Sequence, residues 1–185
     1  MHGRVPSERY LVFTAESGEA GPEAPLPSGY RVELWRPSWA HPVPPGERAA
    51  RLYACWLMHE TRCFRNREYG ALIIRAGRRV AHRALTLPPY FVFPFMSPGD
   101  IQIGYTATDE THRGRGLATF AIREIVRRLG RPGRRFWYLT EESNAASVRA
   151  AKHAGLSLVA EGIRRDRLRV RALGYFALTA AADHP

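Results

Sequence analysis

The stretch from Asp100 to Leu129 constrains the fold of this chain more than any other part of its sequence. A predicted strand (Asp100–Thr108) leads through a turn with Gly114 and Gly116 into a predicted amphipathic helix (Gly116–Leu129). The first turn of any helix carries N–H groups that have no acceptor within the helix. Together with the helix dipole, these groups attract anions and above all phosphate.

The periodicities of this strand and this helix predict which residues share a face. Residues two apart lie on one face of a strand, and residues three or four apart lie on one face of a helix. The strand is expected to present on one face Ile101, Ile103, Tyr105 and Ala107. The helix is expected to bury Ile122, Ile125, Val126 and Leu129, and to expose Arg123, Glu124, Arg127 and Arg128.

The remaining chain alternates between strands and two further helices. The strands are predicted at Arg9–Thr14, Tyr30–Trp35, Tyr69–Arg75, Arg78–Leu87, Phe136–Thr140, Leu156–Glu161 and Arg167–Leu178. The helices are predicted at Glu47–Phe64, with the apolar stripe Ala49, Leu52, Tyr53, Trp56 and Leu57, and at Asn144–Ala154, with Asn144 as N-cap and Gly155 after its end.

The segment from Pro88 to Pro98 does not fit either periodicity. It holds four prolines, which deny it regular strand pairing, and a cluster of large apolar side chains: Tyr90, Phe91, Phe93, Phe95 and Met96. Two interpretations stay open. The segment is either a loop folded over the core, or an apolar wall of a substrate pocket or a homodimer contact.

Length and composition predict one globular domain over residues 1–185. Within it, residues 1–28 supply an additional N-terminal strand and a loop rich in proline and glycine. Hydrophobic residues make up 45% and charged residues 24% of the chain, which excludes global disorder. No apolar run reaches about 18 residues, so no membrane span is predicted. The stretch Met1–Ser7 is polar and does not resemble a signal peptide, so we expect a cytoplasmic protein.

The chain is strongly basic, with a net charge of +11, and Lys152 is its only lysine among 28 basic residues. Such a charge attracts nucleic acid, anionic lipid or phosphate-bearing cofactors. The arginines are scattered, which favours an anionic small ligand over a dedicated nucleic-acid surface. Cys55, His59 and Cys63 recur every four residues, a spacing that fits helix packing better than a zinc site, so no metal is predicted.

The glycine turn has the chemistry of a diphosphate site. Gly114 and Gly116 allow close approach to the backbone, and Arg113 and Arg115 add positive charge. A P-loop is excluded because no Lys-Ser or Lys-Thr follows. A dinucleotide fold is excluded because Thr119 stands where a third glycine is needed.

Two motifs in the second half resemble the GCN5-related N-acetyltransferase (GNAT) family. Arg113-x-x-Gly116-x-Ala118 is similar to the family's (Gln/Arg)-x-x-Gly-x-(Gly/Ala) motif. Asn144-x-x-Ser147, running on to Gly155, is similar to its second signature, an Asn-led helix that ends in Gly-Phe. The motifs have the family's order, with a strand between them. The resemblance extends from about Ile101 to Glu161.

The resemblance implies an α/β fold with a mixed, mostly antiparallel sheet flanked by helices. Its fourth and fifth main strands, here Asp100–Thr108 and Phe136–Thr140, splay apart in a V and admit acetyl-CoA or another acyl-CoA. The resemblance also implies the coenzyme contacts. These are the main chain of Thr106, Ala107 and Thr108, the N–H groups of Arg113, Gly114, Arg115, Gly116, Leu117, Ala118 and Thr119, and the side chains of Asn144 and Ser147.

The implied reaction is direct attack of a neutral amine on the acyl thioester, with an N–H near Ala107 or Thr108 polarising the carbonyl. Two positions depart from the family. Gln102 stands where some members carry a glutamate base, and Ala151 stands where many carry a tyrosine acid. The candidate catalytic residues are therefore Tyr138, Glu141 and Gln102. Glu142 is a further candidate beside Glu141, and Asp100 and Tyr105 are weaker candidates.

The expected function is N-acyl transfer to a primary amine, with a small molecule as acceptor. One alternative is a coenzyme-binding regulatory module without turnover, which the departures at Gln102 and Ala151 motivate. Another is a basic nucleic-acid-binding protein, which rests on charge alone. Among the histidines, His112 is a candidate phosphate ligand, whereas His82 and His153 are expected to be ordinary packing residues.

Overall fold

The structure is a computed structural model that describes residues 9–18, 25–47, 49–167 and 170–179. Its strands are β1 (Arg9–Glu16), β2 (Tyr30–Trp35), β3 (Gly70–Ala76), β4 (Arg79–Leu87), β5 (Ile101–Thr108), β6 (Arg135–Glu141), β7 (Ser157–Arg167) and β8 (Val170–Thr179). Its helices are α1 (Ala50–Glu60), α2 (Leu117–Leu129) and α3 (Ala145–His153), and a short 3₁₀ turn (Glu110–His112) precedes α2. Each predicted helix and strand is present. The largest shifts are a shorter α1 and a β7 that extends beyond Glu161.

All eight described strands form one sheet in the order β2-β3-β4-β5-β6-β1-β7-β8. Neighbouring strands are antiparallel except β5 and β6, which are parallel. Their pairing spans only Ile101↔Phe136 to Ile103↔Tyr138, although both strands continue further. The predicted mixed, mostly antiparallel sheet with a V-shaped splay is therefore confirmed.

Strand β1 lies inside the sheet, between β6 and β7, and pairs with both. Val12 and Phe13 have no exposed surface. The sequence predicted an additional N-terminal strand, and the structure shows that this strand is integral to the sheet. Residues 19–24 of the predicted N-terminal loop lie outside the described residues.

The core has a layer on each side of the sheet. Helices α2 and α3 cover one face, where Leu117, Ile122, Ile125 and Ala151 pack on the sheet. Helix α1 and the segment 88–98 cover the other face in two clusters that share Tyr90. The gap between β5 and β6 therefore opens on one side to the layer of α2 and α3, and on the other side to the layer of α1 and the segment 88–98. Among the described residues, no helix has the length and apolarity needed to cross a bilayer.

Three predicted faces are wrong. Glu124 was expected to face water, but it is 5% exposed and accepts hydrogen bonds from Arg127 and Arg128. The face of α1 that packs on the sheet is narrower than expected and consists of Leu52 and Cys55. Its expected stripe members Tyr53 and Leu57 are 44% and 55% exposed.

On β5, Tyr105 does not share the face of Ile101 and Ile103. The pairing of β5 with β4 shifts between Gly104 and Ala107, and Tyr105 has a left-handed φ of 47°. This bulge turns Tyr105 toward α1, where the guanidinium of Arg51 lies 4.8 Å from its ring centroid. The alternation rule fails here because a bulge adds one residue to the strand.

The proline-rich segment folds over the core. Phe93 and Met96 are 6% and 2% exposed and pack with Trp137, and the rings of Phe93 and Phe176 stack with centroids 5.6 Å apart. Of the two interpretations, the structure supports the loop over the core. Helix α1 ends before Cys63, so this cysteine does not continue the helical pattern of Cys55 and His59. No cluster of three potential metal ligands occurs in the described part of the chain.

Candidate functional site

A cleft of about 770 Å³ opens where β5 and β6 diverge, on the face that α2 and α3 cover. Its walls come from the end of β5, the turn before α2, the first turn of α2, one face of α3 along its whole length, and one residue each of β4 and β6. The lining residues include every predicted coenzyme-binding residue except Asn144, that is Thr106, Ala107, Thr108, Arg113, Gly114, Arg115, Gly116, Leu117, Ala118, Thr119 and Ser147.

The start of α2 presents unpaired amides to this cleft. Gly116 is the N-cap and forms no side-chain cap, and the N–H of Phe120 bonds back to the carbonyl of Gly116. The N–H groups of Leu117, Ala118 and Thr119 therefore precede the first intrahelical bond. Gly114 and Gly116 have φ values of 75° and 74°, and a Cβ at either would meet no atom within 4 Å. The turn is open on its cleft side, as a bound diphosphate requires.

The charges around this turn are largely exposed. Arg113 forms an ion pair of 3.2 Å with Glu110, and both side chains are mostly exposed. A guanidinium N–H of Arg115 points to the carbonyl of Thr111 at 3.5 Å. Arg149 of α3 lines the facing wall. Because exposed pairs of this kind are weak, these arginines remain available to an anion.

The end of β5 leaves one edge free. Within the described residues, no residue of β6 pairs with β5 beyond Ile103. Thr106, Ala107 and Thr108 therefore present main-chain groups to the cleft on the side away from β4. An extended ligand chain can pair with such an edge as an additional strand does.

His82 of β4 supports this edge, which sequence reasoning did not foresee. The side chain is 1% exposed, and its Nδ1 lies 2.7 Å from Oγ1 of Thr108. Burial, followed by the nearby charge of Arg83, lowers the pKa of His82 to about 4. The imidazole is therefore neutral at physiological pH. Only the alternation of apolar residues around His82 hinted at its burial.

The second predicted motif has two different tasks. Asn144 is the N-cap of α3, where its Oδ1 accepts a hydrogen bond of 3.1 Å from the N–H of Ser147. Asn144 is not among the residues that line the cleft, whereas Ser147 is. Contact of the coenzyme with either side chain stays a prediction, whereas the expected N-cap role of Asn144 is confirmed. Its amide shapes the helix start because Asn is a strong N-cap.

The three predicted catalytic residues do not come together. Tyr138 faces the cleft, and its hydroxyl lies 3.2 Å from Oγ1 of Thr106. Gln102 points to the opposite face, since it lies one residue from the buried Ile101 and Ile103. Glu141 is exposed at the end of β6 and shares the opposite face with Trp137, at even spacing along the strand. The splay separates one hydroxyl on the helix side from two polar groups on the α1 side.

Ala151, at the position of the missing tyrosine, is fully buried in the core below α2. It contributes nothing to the cleft chemistry. His112 lies in the cleft wall, and its Nδ1 is 2.8 Å from the hydroxyl of Tyr30. His153 also lines the cleft, at the end of α3.

Comparison with known proteins agrees with this geometry. A sequence model of the acetyltransferase (GNAT) family matches residues 31–156. A search of curated proteins finds no significant match.

Solved structures show the same fold at low sequence identity. A GCN5-related N-acetyltransferase from Sphaerobacter thermophilus is 17% identical with a TM-score of 0.57, over 88% of this chain and 52% of that one. A GNAT-family acetyltransferase from Colwellia psychrerythraea is 15% identical with a TM-score of 0.57, over 84% and 54%. A tandem GNAT protein from the clavulanic acid biosynthesis pathway is 15% identical with a TM-score of 0.59, over 97% and 56%. This chain spans about half the length of these proteins.

The family match covers more than half of the chain and includes both sequence motifs, the β5–β6 splay and the start of α2. The sheet and its flanking helices have the corresponding fold. The chain therefore belongs to the GNAT family of acetyltransferases.

Proposed function

We propose that this chain transfers an acetyl or other acyl group from acyl-CoA to a primary amine of a small molecule. Members of its family are acyltransferases that generally use acetyl-CoA. The observation that carries the proposal is the open helix start at Gly116, with left-handed glycines, amides that precede the first intrahelical bond, and no atom within 4 Å of a Cβ placed at Gly116. Backbone amides in this arrangement suit the two phosphates of a coenzyme A molecule.

Each wall of the cleft has a role in holding the coenzyme. The amides of Leu117, Ala118 and Thr119 bind the diphosphate. The free edge of β5 pairs with the amide groups of the pantetheine arm. When bound, the coenzyme supplies an acyl group that is activated as a thioester.

The amine approaches from the α1 face because the coenzyme fills the opposite side of the splay. A neutral amine is needed for attack, so its ammonium form must first lose a proton. Glu141, exposed on the α1 face, accepts this proton directly or through water. Gln102 cannot take a proton, and its buried carboxamide donates to the carbonyl of Ile103, so it has no direct part in this proposal.

The hydroxyl of Tyr138 assists departure of the thiol. It lies in the cleft within hydrogen-bond distance of Thr106, on the side where the coenzyme sulfur leaves. The new C–N bond replaces the C–S bond, and the sulfur gains a proton from Tyr138. The nitrogen loses its second proton to Glu141, which has by then released the first one to water, and Tyr138 regains a proton from solvent. Tyr138 thus supplies the acid that many family members provide from the position of Ala151.

The experiment is thiol release from acetyl-CoA in the presence of a panel of primary amines, with each acetylated product identified by mass. We expect release that depends on the amine and exceeds hydrolysis without amine. A second candidate function, a coenzyme-binding module, is favoured by Gln102 and Ala151. Tight coenzyme binding without thiol release for any amine would establish that module, and absence of coenzyme binding would contradict both functions.

A further inference from the structure

The α1 face of the splay carries a strained aromatic residue. Tyr105 is one of two non-glycine residues with positive φ among the described residues, at 47°. It stands at the point where β5 leaves β6, and its side chain remains 41% exposed. A bulky residue held in the left-handed region points to a function for its side chain, since strain of this kind is retained mainly at functional sites.

The guanidinium of Arg51 stacks on the ring of Tyr105. The Cζ atom of Arg51 lies 4.8 Å from the ring centroid, in cation–π geometry. Within the described ranges, the side chain of Arg51 forms no hydrogen bond and has no carboxylate within 4.0 Å. Stacking holds one face of the guanidinium and leaves its N–H groups free for an oxyanion.

Most carboxylates elsewhere in the described part of the chain are already paired with arginine. These are Glu16, Glu33, Glu47, Glu68, Glu110, Glu124, Glu142 and Glu161. Arg51 is one of several arginines in the described part of the chain without a carboxylate partner, and it differs from the others in stacking on the strained Tyr105. A surface cation that the chain itself does not neutralise is suited to a charged ligand.

A buried polar group lies beside Tyr105. Gln102 is 6% exposed, and its Oε1 atom has no hydrogen-bond partner among the described residues. Its carboxamide lies over Gly104, where a Cβ would come within 2.5 Å of Nε2. Gly104 therefore makes room for the carboxamide, whose Nε2 donates to the carbonyl of Ile103 and whose buried oxygen has no partner within the described residues.

Across the splay, Glu141 completes the arrangement. The parallel register places Ile103 level with Tyr138, so the bulged end of β5 is level with the end of β6. One wall of the opening thus carries a carboxylate for an ammonium group, and the other carries a cation. This pairing fits a molecule with an amine at one end and an oxyanion at the other.

We infer that the acceptor of this chain is an amine that also bears an oxyanion, a carboxylate or a phosphate, and that Arg51 stacked on Tyr105 binds this oxyanion. The inference rests on the proposed acyl transfer. It goes beyond it by naming the acceptor class and a specificity-determining residue. Amines without an anionic group, such as simple polyamines, are poor acceptors on this account.

The test compares matched amines that differ only in the oxyanion. Phenylalanine is compared with phenethylamine, and O-phosphoethanolamine with ethanolamine, so that the two arms distinguish carboxylate from phosphate. We expect kcat/KM to be about tenfold or more higher for the anionic member of at least one pair. Arg51→Met should remove that preference without lowering kcat/KM for the neutral member, and Arg51→Lys should restore it in part. Arg31→Met, an exposed site on the edge strand β2, is the matched control.

Equal kcat/KM within both pairs, or an equal loss for both members in Arg51→Met, would overturn the inference. Failure of the proposed function is a separate outcome, recognised when no amine releases thiol although the coenzyme binds. In that case, the anion site is tested by measuring the equilibrium binding of the same pairs of amines to the protein saturated with coenzyme A. Tighter binding of the anionic member that is lost in Arg51→Met supports the anion site, and its absence rejects it.

Discussion

The hydroxyl of Tyr138 is the polar side-chain group of β6 that reaches the cleft, and Thr106 lies 3.2 Å from it. A tyrosine on this strand was a sequence-based candidate, but its orientation toward the helix side is a structural finding. The residue-scale question is therefore whether this hydroxyl acts in the reaction or only packs in the core, where the ring is 3% exposed.

Tyr138→Phe tests that role with a minimal change. The ring and its packing remain, so coenzyme affinity and thermal stability should change little. Loss of the proton donor should lower kcat about 100-fold. Steady-state kinetics with acetyl-CoA and a calorimetric titration of coenzyme A measure the two effects separately.

Thr106→Val is the control, because it removes the hydrogen-bond partner but leaves the phenol in place. A smaller loss of kcat is expected for this variant. If Tyr138→Phe kept the full kcat, protonation of the departing thiolate by this hydroxyl would be wrong.

Individual site residues were predictable where a motif is contiguous in sequence. The residues from Arg113 to Thr119 follow one another, so a single turn carries them all into the cleft. Asn144 was predicted both as the N-cap of its helix and as a coenzyme contact. The hydrogen bond from the N–H of Ser147 confirms the cap, and the coenzyme contact stays a prediction.

At the scale of elements, β4 and β5 are joined by a side-chain contact at the mouth of the cleft. His82 of β4 and Thr108 of β5 face each other in the strand register, with Nδ1 and Oγ1 2.7 Å apart. The imidazole is buried and neutral, and its pKa of about 4 lies well below the ordinary value. We therefore expect the stability of this side-chain contact to depend on pH.

The sign of this dependence follows from the depressed pKa. The unfolded chain binds a proton on His82 near pH 6.5, whereas the folded chain resists it down to about pH 4. The contribution of neutral His82 to the free energy of unfolding is therefore fully present above pH 6.5 and is lost as the pH falls toward 4. We expect His82 to contribute a loss of about 2 kcal/mol in the free energy of unfolding between pH 7 and pH 5.

Denaturant unfolding of the wild type and His82→Asn at both pH values measures this contribution. The variant is expected to be less stable at pH 7 but to lose less stability on acidification. His41→Asn, at an exposed position, should behave as the wild type. An identical pH response in the wild type and His82→Asn would contradict a buried, neutral imidazole.

The elements themselves were largely predictable, and their orientations were less so. Helix α2 was recognised because its apolar period is strong, yet Glu124 is buried by its bonds to Arg127 and Arg128. Helix α1 was predicted with a wide stripe, but the sheet covers only Leu52 and Cys55 fully. The bulge at Tyr105 carries no local turn signal, so the strand pattern alone predicted the wrong face.

At the scale of the whole molecule, the position of β1 in the sheet cannot be read from the order of the strands along the chain. The first described strand lies between β6 and β7 and thereby joins the splayed half of the sheet to β7 and β8. The family match begins at residue 31 and does not include β1. A local sequence pattern identifies a strand but does not give its neighbours, which are set by long-range packing.

Phe13→Ala tests whether β1 is structural. Phe13 is fully buried in the layer below α2, so removal of the ring should cost about 3–5 kcal/mol in the free energy of unfolding. Leu34→Ala, on the edge strand β2 with Leu34 39% exposed, should cost less than about 1 kcal/mol. Chemical denaturation measures both, and similar values for the two variants would contradict an interior position for β1.

The molecule as a whole combines the proposed coenzyme cleft on the helix side of the sheet with a cation and a carboxylate on the α1 side. The splay between β5 and β6 connects the two. The strong net positive charge of +11 favours binding of a phosphate-bearing coenzyme at long range. This division of tasks between faces depends on the coenzyme binding at the start of α2.

The most direct test is a calorimetric titration of coenzyme A into the wild type, Gly116→Val and Gly133→Val. Both glycines have nearly the same left-handed φ, 74° and 75°, and open space at the Cβ position. Gly133 lies in the turn before β6, outside the cleft lining. Both variants should therefore lose similar stability, about 1–2 kcal/mol.

Only Gly116→Val distorts the amides that face the cleft. We expect its coenzyme affinity to fall about tenfold to 100-fold, which corresponds to one or more lost charge-assisted hydrogen bonds. Gly133→Val should bind as the wild type does. Equal affinity in all three proteins would contradict a diphosphate site at the start of α2.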